Sequence, residues 1–413
     1  MVDDPALRIL IVGAGVVGRT LALALARRGA AVTLLDQQAA APAASWGNAG
    51  HIAVEQVEPL ASAATLRAFP RRLFWRGGPL SLPPAQARDW LPFALRLAWA
   101  SRPVQHRRGR DALGALLAGA LPAWHRLAGA LGDATLVRAD GHLVAWESDA
   151  SAARGRAAWQ AADTGTATVH AADTATLARV RGLAPAVTDA IRFAGSAQVS
   201  DLDRLAAALD AALDAAGVAR ATGQATIERS GDRVAVPGHP ADFVVVAAGV
   251  GARALMAAAG ERAPLIAERG YHVRAAGHRW PADLPPIVFE DRSIIATRYA
   301  DRVQLAGFVE FGRADAPPDA RKWQRLEAHA AALGLPLAAP FERWMGARPT
   351  LPDYLPAIGR STRAPNLFYS FGHQHLGLTL APVTAELLAD TIAGAAPAID
   401  LAPYDLRRFG TLA

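Results

Sequence analysis

Apolar positions along the chain alternate between short continuous blocks and helical stripes. Arg8-Ile9-Leu10-Ile11-Val12 reads as a buried strand, and Gly13-Ala14-Gly15-Val16-Val17-Gly18 follows it at once. A helical stripe then runs through Leu21 and Leu25 to Gly29. A second strand covers Ala31 to Leu35, with Asp36 at its end. Further on, Trp90, Phe93 and Leu97 fall at helical spacing and predict an amphipathic helix over Asp89 to Trp99. Gly141 to Glu147 alternates like a strand. Leu202, Leu205, Leu209 and Leu213 line one face of a helix over Leu202 to Ala216. Ala219 to Glu228 and Arg233 to Val236 read as strands. Phe243 to Ala247 reads as a buried strand ending in Ala248-Gly249. Ile287 to Phe289, Ile294 to Arg298 and Val303 to Phe308 suggest an antiparallel sheet. A charged helix is predicted over Asp319 to Leu333. Leu367 to Phe371 is a last buried strand, opening into Gly372-His373-Gln374-His375-Leu376-Gly377-Leu378-Thr379. A helix from about Leu380 to Ile392 follows, with Pro382 in its first turn and Gly394 as its stop.

Composition narrows the class. A chain of 413 residues, 52% hydrophobic and 19% charged, is long enough for two domains and too apolar for disorder. The absence of cysteine removes disulfides, iron–sulfur clusters, thiolate zinc sites and any cysteinyl flavin link. The net charge of +6 is almost all arginine, since Lys322 is the single lysine. Basic residues cluster only over Arg102 to Arg110, too short a run for a nucleic-acid surface, so no nucleic-acid partner is expected. Asp3 and Asp4 precede the first apolar run, which argues against a signal peptide, and no long uncharged apolar stretch exists. A cytoplasmic location is expected. The segment over 61–130 holds Trp75, Trp90, Trp99 and Trp124 among arginines. Core packing and a peripheral helix on the inner membrane face are both open there.

The first motif carries chemistry. Gly13 permits a tight turn, Gly15 a close backbone approach to a pyrophosphate, Gly18 close helix–strand packing, and Asp36 a bond to a ribose. The stretch after Asp36 leaves the regular βα alternation and becomes rich in Pro, Trp and Arg, which favours a flavin over a nicotinamide. The Gly372–Thr379 turn before a helix is a second anion-facing cradle. His373 and His375 have no third ligand nearby in sequence, so no metal site is expected. Pyridoxal chemistry would need a Schiff-base lysine, whereas Lys322 falls in a charged helix expected to be solvated. No Gly-x-Ser-x-Gly elbow occurs.

On these residues the chain resembles the FAD-dependent D-amino-acid oxidase superfamily, and more closely the bacterial D-amino-acid dehydrogenases. The fingerprint ending at Asp36, the Ser45–His51 loop, Ala247-Ala248-Gly249 and the stretch from Gly346 to Gly394 carry the resemblance. It implies an α/β fold with a discontinuous, Rossmann-like FAD domain (1–60, 190–265, 345–413). An inserted α+β substrate domain (61–189, 266–344) would be built on an antiparallel sheet. It also implies noncovalent FAD, because Gly47 stands where some related enzymes attach flavin through histidine. Gly13, Gly15, Val16, Val17 and Gly18 would hold the pyrophosphate, and Asp36 with Gln37 the adenosine ribose. Ser45, Asn48, Ala49 and Gly50 would lie along the flavin, and Ala225 would meet the adenine from a strand. Ala248 and Gly249, with His375, Gly377, Leu378 and Thr379, would complete the cofactor site, Thr379 and its neighbours meeting N1 and O2. Arg348, read as a loop residue, would clamp the substrate carboxylate, and the Gln374 carbonyl would receive the amine. His373 would line the flavin pocket. For His51 and Tyr271, a site role and a purely structural one are both open.

The activity implied is dehydrogenation of a D-amino acid, with hydride passing from Cα to flavin N5. The stretch Gly372 to Pro382 resembles dehydrogenases that act on cyclic D-amino acids, which implies a substrate such as cis-4-hydroxy-D-proline or D-proline. A quinone is the expected electron acceptor, since no lysine is placed to activate oxygen. A glycine- or sarcosine-type amine oxidase, an electron-transfer subunit and a nicotinamide dehydrogenase are the alternatives.

Overall fold

A computed structural model describes residues 6–37 and 43–410. Two large sheets organise them. The first has six strands in the order Ala219–Thr222, Ala31–Asp36, Arg8–Val12, Phe243–Val246, Leu367–Phe371, Ala357–Arg360. The first five run parallel, and the edge strand Ala357–Arg360 is antiparallel. Continuous apolar strands suit a sheet covered on both sides. Ile9, Ile11 and Val245 face a core with Leu21, Leu205 and Leu388. Leu10, Val12 and Val244 face another with Met256, Val234 and Leu406. The helices Val16–Ala26, Leu202–Ala215 and Gly377–Ile392 supply the first of these cores.

The second sheet has nine strands and is mostly antiparallel. Its principal strands are Ile266–His278, Val303–Gly312 and Leu337–Thr350. The first and last of these have no apolar alternation in sequence. One face packs into a core with Val273, Leu305 and Leu326, while the other presents Glu268, Gly270 and His272. Arg348 therefore lies within a strand, opposite Glu268, and not in a loop. The expected domain boundaries at 190 and 345 fall inside the strands Asp189–Ala194 and Leu337–Thr350 of this sheet.

Other expectations are corrected locally. The strand beginning at Ala219 stops at Thr222, and Glu228–Ser230 belongs to a separate hairpin with Arg233–Ala235, so Ala225 sits in the intervening loop. Lys322 is fully buried instead of solvated. Its Nζ bonds Glu310 at 2.5 Å and Asp319 at 2.9 Å and lies over the rings of Phe74 and Tyr271. The helix over Ala87–Ala100 packs one face into a core and leaves the other exposed. Phe93 and Ala100 pack with Phe311 and Tyr354, while Leu91, Leu95 and Trp99 on the opposite face are 48%, 66% and 51% exposed. No helix among the described residues is long and apolar enough to cross a membrane.

The last helix starts at Gly377, preceded by a 3₁₀ turn over Gln374–Leu376, so Pro382 falls in its second turn. Proline has no N–H, and the carbonyl four residues earlier, Leu378, loses its helical donor. Buried Trp124 replaces it: its indole N–H lies 3.1 Å from the Leu378 carbonyl and 3.1 Å from that of Thr379. Trp124→Phe keeps an aromatic ring but removes the indole N–H and part of the buried volume, and is expected to cost at least about 1–3 kcal/mol in urea unfolding. Unchanged stability would show that the indole N–H is dispensable.

Candidate active site

A cavity of about 1530 Å³ opens between the two sheets. It exceeds the ~300–1,000 Å³ usual for a drug-sized ligand, enough for a dinucleotide and a second small molecule. One end is the turn after the first strand. Gly13 adopts φ +113°, and a Cβ there would lie 2.4 Å from the Ala247 carbonyl oxygen; a Cβ on Gly18 would lie 1.8 Å from the Gly13 oxygen. Both glycines are thus required by backbone contact. Gly15 caps the Val16–Ala26 helix without a side-chain bond. Ser45 Oγ accepts from Val16 N at 3.1 Å, and Asp36 accepts from Ala14 N at 2.6 Å. Gly13, Gly15, Val16, Val17, Asp36 and Gln37 line the cavity, with Ala225, Ala248 and Gly249 beside them. Gly18 does not line it; it packs behind the turn.

The Ser45–His51 loop forms one wall. Its carbonyls are held by the second sheet. Arg274 donates to Trp46 O at 2.9 Å, and His272 Nδ1 lies 3.1 Å from Gly47 O. Tyr299 and Gln304 donate to Asn48 O at 2.8 and 2.9 Å. The Trp344 ring stacks on His272, 4.7 Å between centroids, and covers Gly47, where a Cβ would meet it at 2.3 Å. Ser45, Asn48, Ala49 and His51 reach the cavity. Gly50 does not: it bonds Val199 and abuts the Tyr299 hydroxyl.

The sheet supplies the floor. Gly270 and Gly346 pair across adjacent strands, and the Arg348 guanidinium lies over Gly270, where a Cβ would meet it at 2.5 Å. Arg348 Nη1 reaches Glu268 Oε1 at 3.3 Å. The other oxygen of this buried carboxylate accepts from Thr350 and Tyr354 at 3.0 and 3.2 Å. One edge of Arg348 is therefore anchored while its side chain stays 29% exposed to the cavity. Tyr271 lines the cavity but turns its hydroxyl to the core side. Neighbours in a strand point to opposite faces. Its hydroxyl bonds Glu310 and the Asp319 N–H on the core side, and burial pushes its pKa up to about 12.

The last wall is the turn at 372–378. Gln374 has φ +49°, a strained value for a residue with a Cβ. Its side-chain amide donates to Tyr354 O at 2.7 Å, so the side chain is tied to the turn. Burial drives His373 down to about 3 and His375 to about 4, so both are neutral at neutral pH. His373 Nε2 is buried without a partner, whereas His375 Nε2 lies 2.6 Å from Gln56 Oε1. Gly377 and Leu378 line the cavity. Thr379 is set back: its hydroxyl bonds Ala53 N at 3.1 Å and His51 O at 3.3 Å, stapling that strand to the helix.

The sequence profile described as FAD dependent oxidoreductase matches residues 8–391. The chain belongs to this family. A protein named D-amino-acid oxidase from Bradyrhizobium diazoefficiens is 31% identical over 97% of this chain and 98% of its own length. One named D-amino acid dehydrogenase 2 from Ralstonia nicotianae is 32% identical over 97% and 100%. Among solved structures, iminodiacetate oxidase from Chelativorans sp. BNC1 superposes with a TM-score of 0.73 at 23% identity, covering 96% of this chain and 98% of its own. Glycine oxidase from Geobacillus kaustophilus gives 0.71 at 23% identity, covering 98% and 99%. Both share the fold.

The residues present fit FAD. Gly15 at the start of the Val16–Ala26 helix lines the cavity without a Cβ, and the cavity continues from there to Arg348. Sequence reasoning missed Glu268, His272, Trp344, Glu55 and His142. The i,i+4 spacing of His51 and Glu55 was a readable signal, but nothing in sequence brings His142 to them. Among the described residues, these three form the group whose potential ligand atoms lie within 4.8 Å of one another. Gly18→Ala, which drives a Cβ into the Gly13 carbonyl, is expected to yield protein with markedly lower FAD content, read from the ratio of flavin to protein absorbance. Full occupancy would mean that the turn can shift without loss.

Proposed function

We propose that this chain is a FAD-dependent D-amino-acid dehydrogenase. The observation that carries the reading is Arg348, anchored on one edge by Glu268 and lying over the Gly270–Gly346 floor with its remaining donors open to the cavity. A guanidinium so held matches a carboxylate through two parallel bonds and fixes the substrate's orientation. The relatives named D-amino-acid oxidase and D-amino acid dehydrogenase, each aligned over nearly the whole chain, support the substrate class.

In this reading the strands of the parallel sheet and the helices packed on them hold FAD, and the nine-stranded sheet bounds the substrate. Gly13 to Val17 bind the diphosphate and Asp36 with Gln37 the adenosine ribose. The Ala225 backbone, with Ala248 and Gly249, meets the adenosine half. Ser45, Asn48 and Ala49 run along the isoalloxazine. Near its N1–O2 edge the chain offers the backbone of Gly377 and Leu378, because the Thr379 hydroxyl is engaged elsewhere. FAD is held noncovalently, with Gly47 covered by Trp344. Bound FAD supplies the hydride acceptor. The protein binds the carboxylate at Arg348, receives the neutral amine on the Gln374 carbonyl, and keeps the walls free of cationic imidazolium at His373 and His375. This is catalysis by orientation and electrostatics. A cyclic D-amino acid such as cis-4-hydroxy-D-proline or D-proline is the preferred candidate substrate.

A quinone is the proposed electron acceptor. Lys322, the single lysine, is tied to Glu310 and Asp319 in the core of the second sheet and offers no free ammonium to oxygen. The exposed face Leu91, Leu95 and Trp99, with Trp75 (71% exposed) and the exposed Arg71, Arg76 and Arg88, has the chemistry of a surface that rests on anionic lipid. Cosedimentation with anionic lipid vesicles is expected for the intact protein and loss of it in Leu95→Asp/Trp99→Asp. Binding unaffected by the double change, or absent altogether, would refute the membrane contact.

Arg348→Ala should keep FAD but lose about 2–4 kcal/mol of transition-state binding, roughly 30- to 1,000-fold in kcat/KM; Arg348→Lys should recover only part. The measurement is anaerobic flavin reduction by a panel of D- and L-amino acids. An alanine variant as fast as the wild type would remove Arg348 from the substrate site.

A further inference from the structure

Away from Arg348, the cavity wall carries a buried carboxylate that the reading above does not use. Glu55 is 3% exposed and lines the cavity. His51 Nε2 lies 2.9 Å from its Oε1, and His142 Nε2 lies 4.0 Å from the same oxygen. Burial opposes ionisation of Glu55, while the charge and hydrogen bond of His51 favour the carboxylate, and the net shift is downward. The His142 ring is itself fixed, with Nδ1 2.8 Å from Ser196 Oγ and the ring stacked on Phe193. Burial drives it down to about 3, so it is neutral at neutral pH. Glu55 Oε2 is buried and has no hydrogen-bond partner. An ionised oxygen in that state calls for a donor.

His375 connects this group to the turn at 372–378. Its ring feels Glu268 and Arg348 as well as Glu55 and His51, and its Nε2 meets Gln56, the residue after Glu55. Both carboxylates line the same cavity, Glu268 with its arginine in place and Glu55 with a buried oxygen that has no partner.

We propose that Glu55, oriented by His51, accepts a hydrogen bond from a donor on the substrate side chain, a hydroxyl or an ammonium, and so makes the enzyme selective for amino acids that carry one. The inference rests on the proposed carboxylate role of Arg348. A metal ion at His51, Glu55 and His142 is the competing use of these atoms. It is less well matched, because the direct His51–Glu55 bond would have to break and the open oxygen is the other one.

The test uses the holoenzyme in anaerobic flavin reduction with two substrate pairs, cis-4-hydroxy-D-proline against D-proline and D-lysine against D-norleucine. In at least one pair the wild type should favour the donor-bearing member. Glu55→Gln, with FAD content and melting temperature checked, should lower kcat/KM for that member by about 10- to 100-fold and change its partner less than about three-fold. Equal wild-type rates within both pairs would overturn the inference whether or not the variant folds. So would an equal loss for both members in the variant, or a stoichiometric divalent metal in the wild type by elemental analysis. Flavin that no D-amino acid reduces would instead sink the reading of Arg348, and this inference with it.

Discussion

Everything in the cofactor half depends on one backbone crossing. The turn at Gly13 passes so close to Ala247 and to the start of the next helix that neither Gly13 nor Gly18 has room for a methyl group. The crossing brings the ends of the Arg8–Val12 and Phe243–Val246 strands together, residues separated by more than half the chain, and aims the N-terminus of the Val16–Ala26 helix into the cavity. The partial positive charge of that helix end is what a diphosphate finds there. A larger side chain at either glycine would separate strand from helix and destroy both the packing and the anion site.

The substrate half follows a different constraint, the burial of charge. Its strand Ile266–His278 carries Glu268, Arg269, His272 and Arg274 in a run of seven residues, all engaged by other elements. Arg269 pairs with Glu310 at 2.8 Å, and Glu310 also takes Lys322. A buried charge left alone is costly, and these are tied to partners from the Ala320–Leu333 helix and the Val303–Gly312 strand. Arg274 and the cavity-lining His272 hold the Trp46 and Gly47 carbonyls. The same polar face that holds the Ser45–His51 loop thus continues into the floor under Arg348. Shape and charge of the site are set by one surface.

Histidine is the third element. His142, His272, His373 and His375 are all pushed by burial below their ordinary range, and stand neutral around the cavity at neutral pH. Arg348 supplies fixed positive charge at the floor, and its buried counter-ion is Glu268.

The parallel sheet and its glycine turn were legible in the sequence because they rest on local rules. Continuous apolar runs mark strands buried on both faces, Leu202, Leu205, Leu209 and Leu213 mark one helix face, and glycine marks the turn whatever lies around it. The second sheet was only partly legible. Ile287–Phe289 and Ile294–Arg298 are apolar and were readable, whereas Ile266–His278 and Leu337–Thr350 are strands whose polar residues are satisfied by partners tens of residues away. For the same reason Lys322 read as solvated and Arg348 as a loop residue, and Tyr271 was ambiguous until its hydroxyl was seen bonded to Glu310 and the Asp319 N–H. Pro382 marks the limit from the other side: its helix tolerates it in the second turn because Trp124, from another helix, supplies the missing donor. The sequence by itself determined the dinucleotide turn, the buried strands and the helical faces, since each depends on neighbours within a few positions. Only the tertiary structure decided which charges are paired, which polar groups face the cavity, and that Glu55 is left with an open oxygen, because those depend on what the fold brings against each side chain.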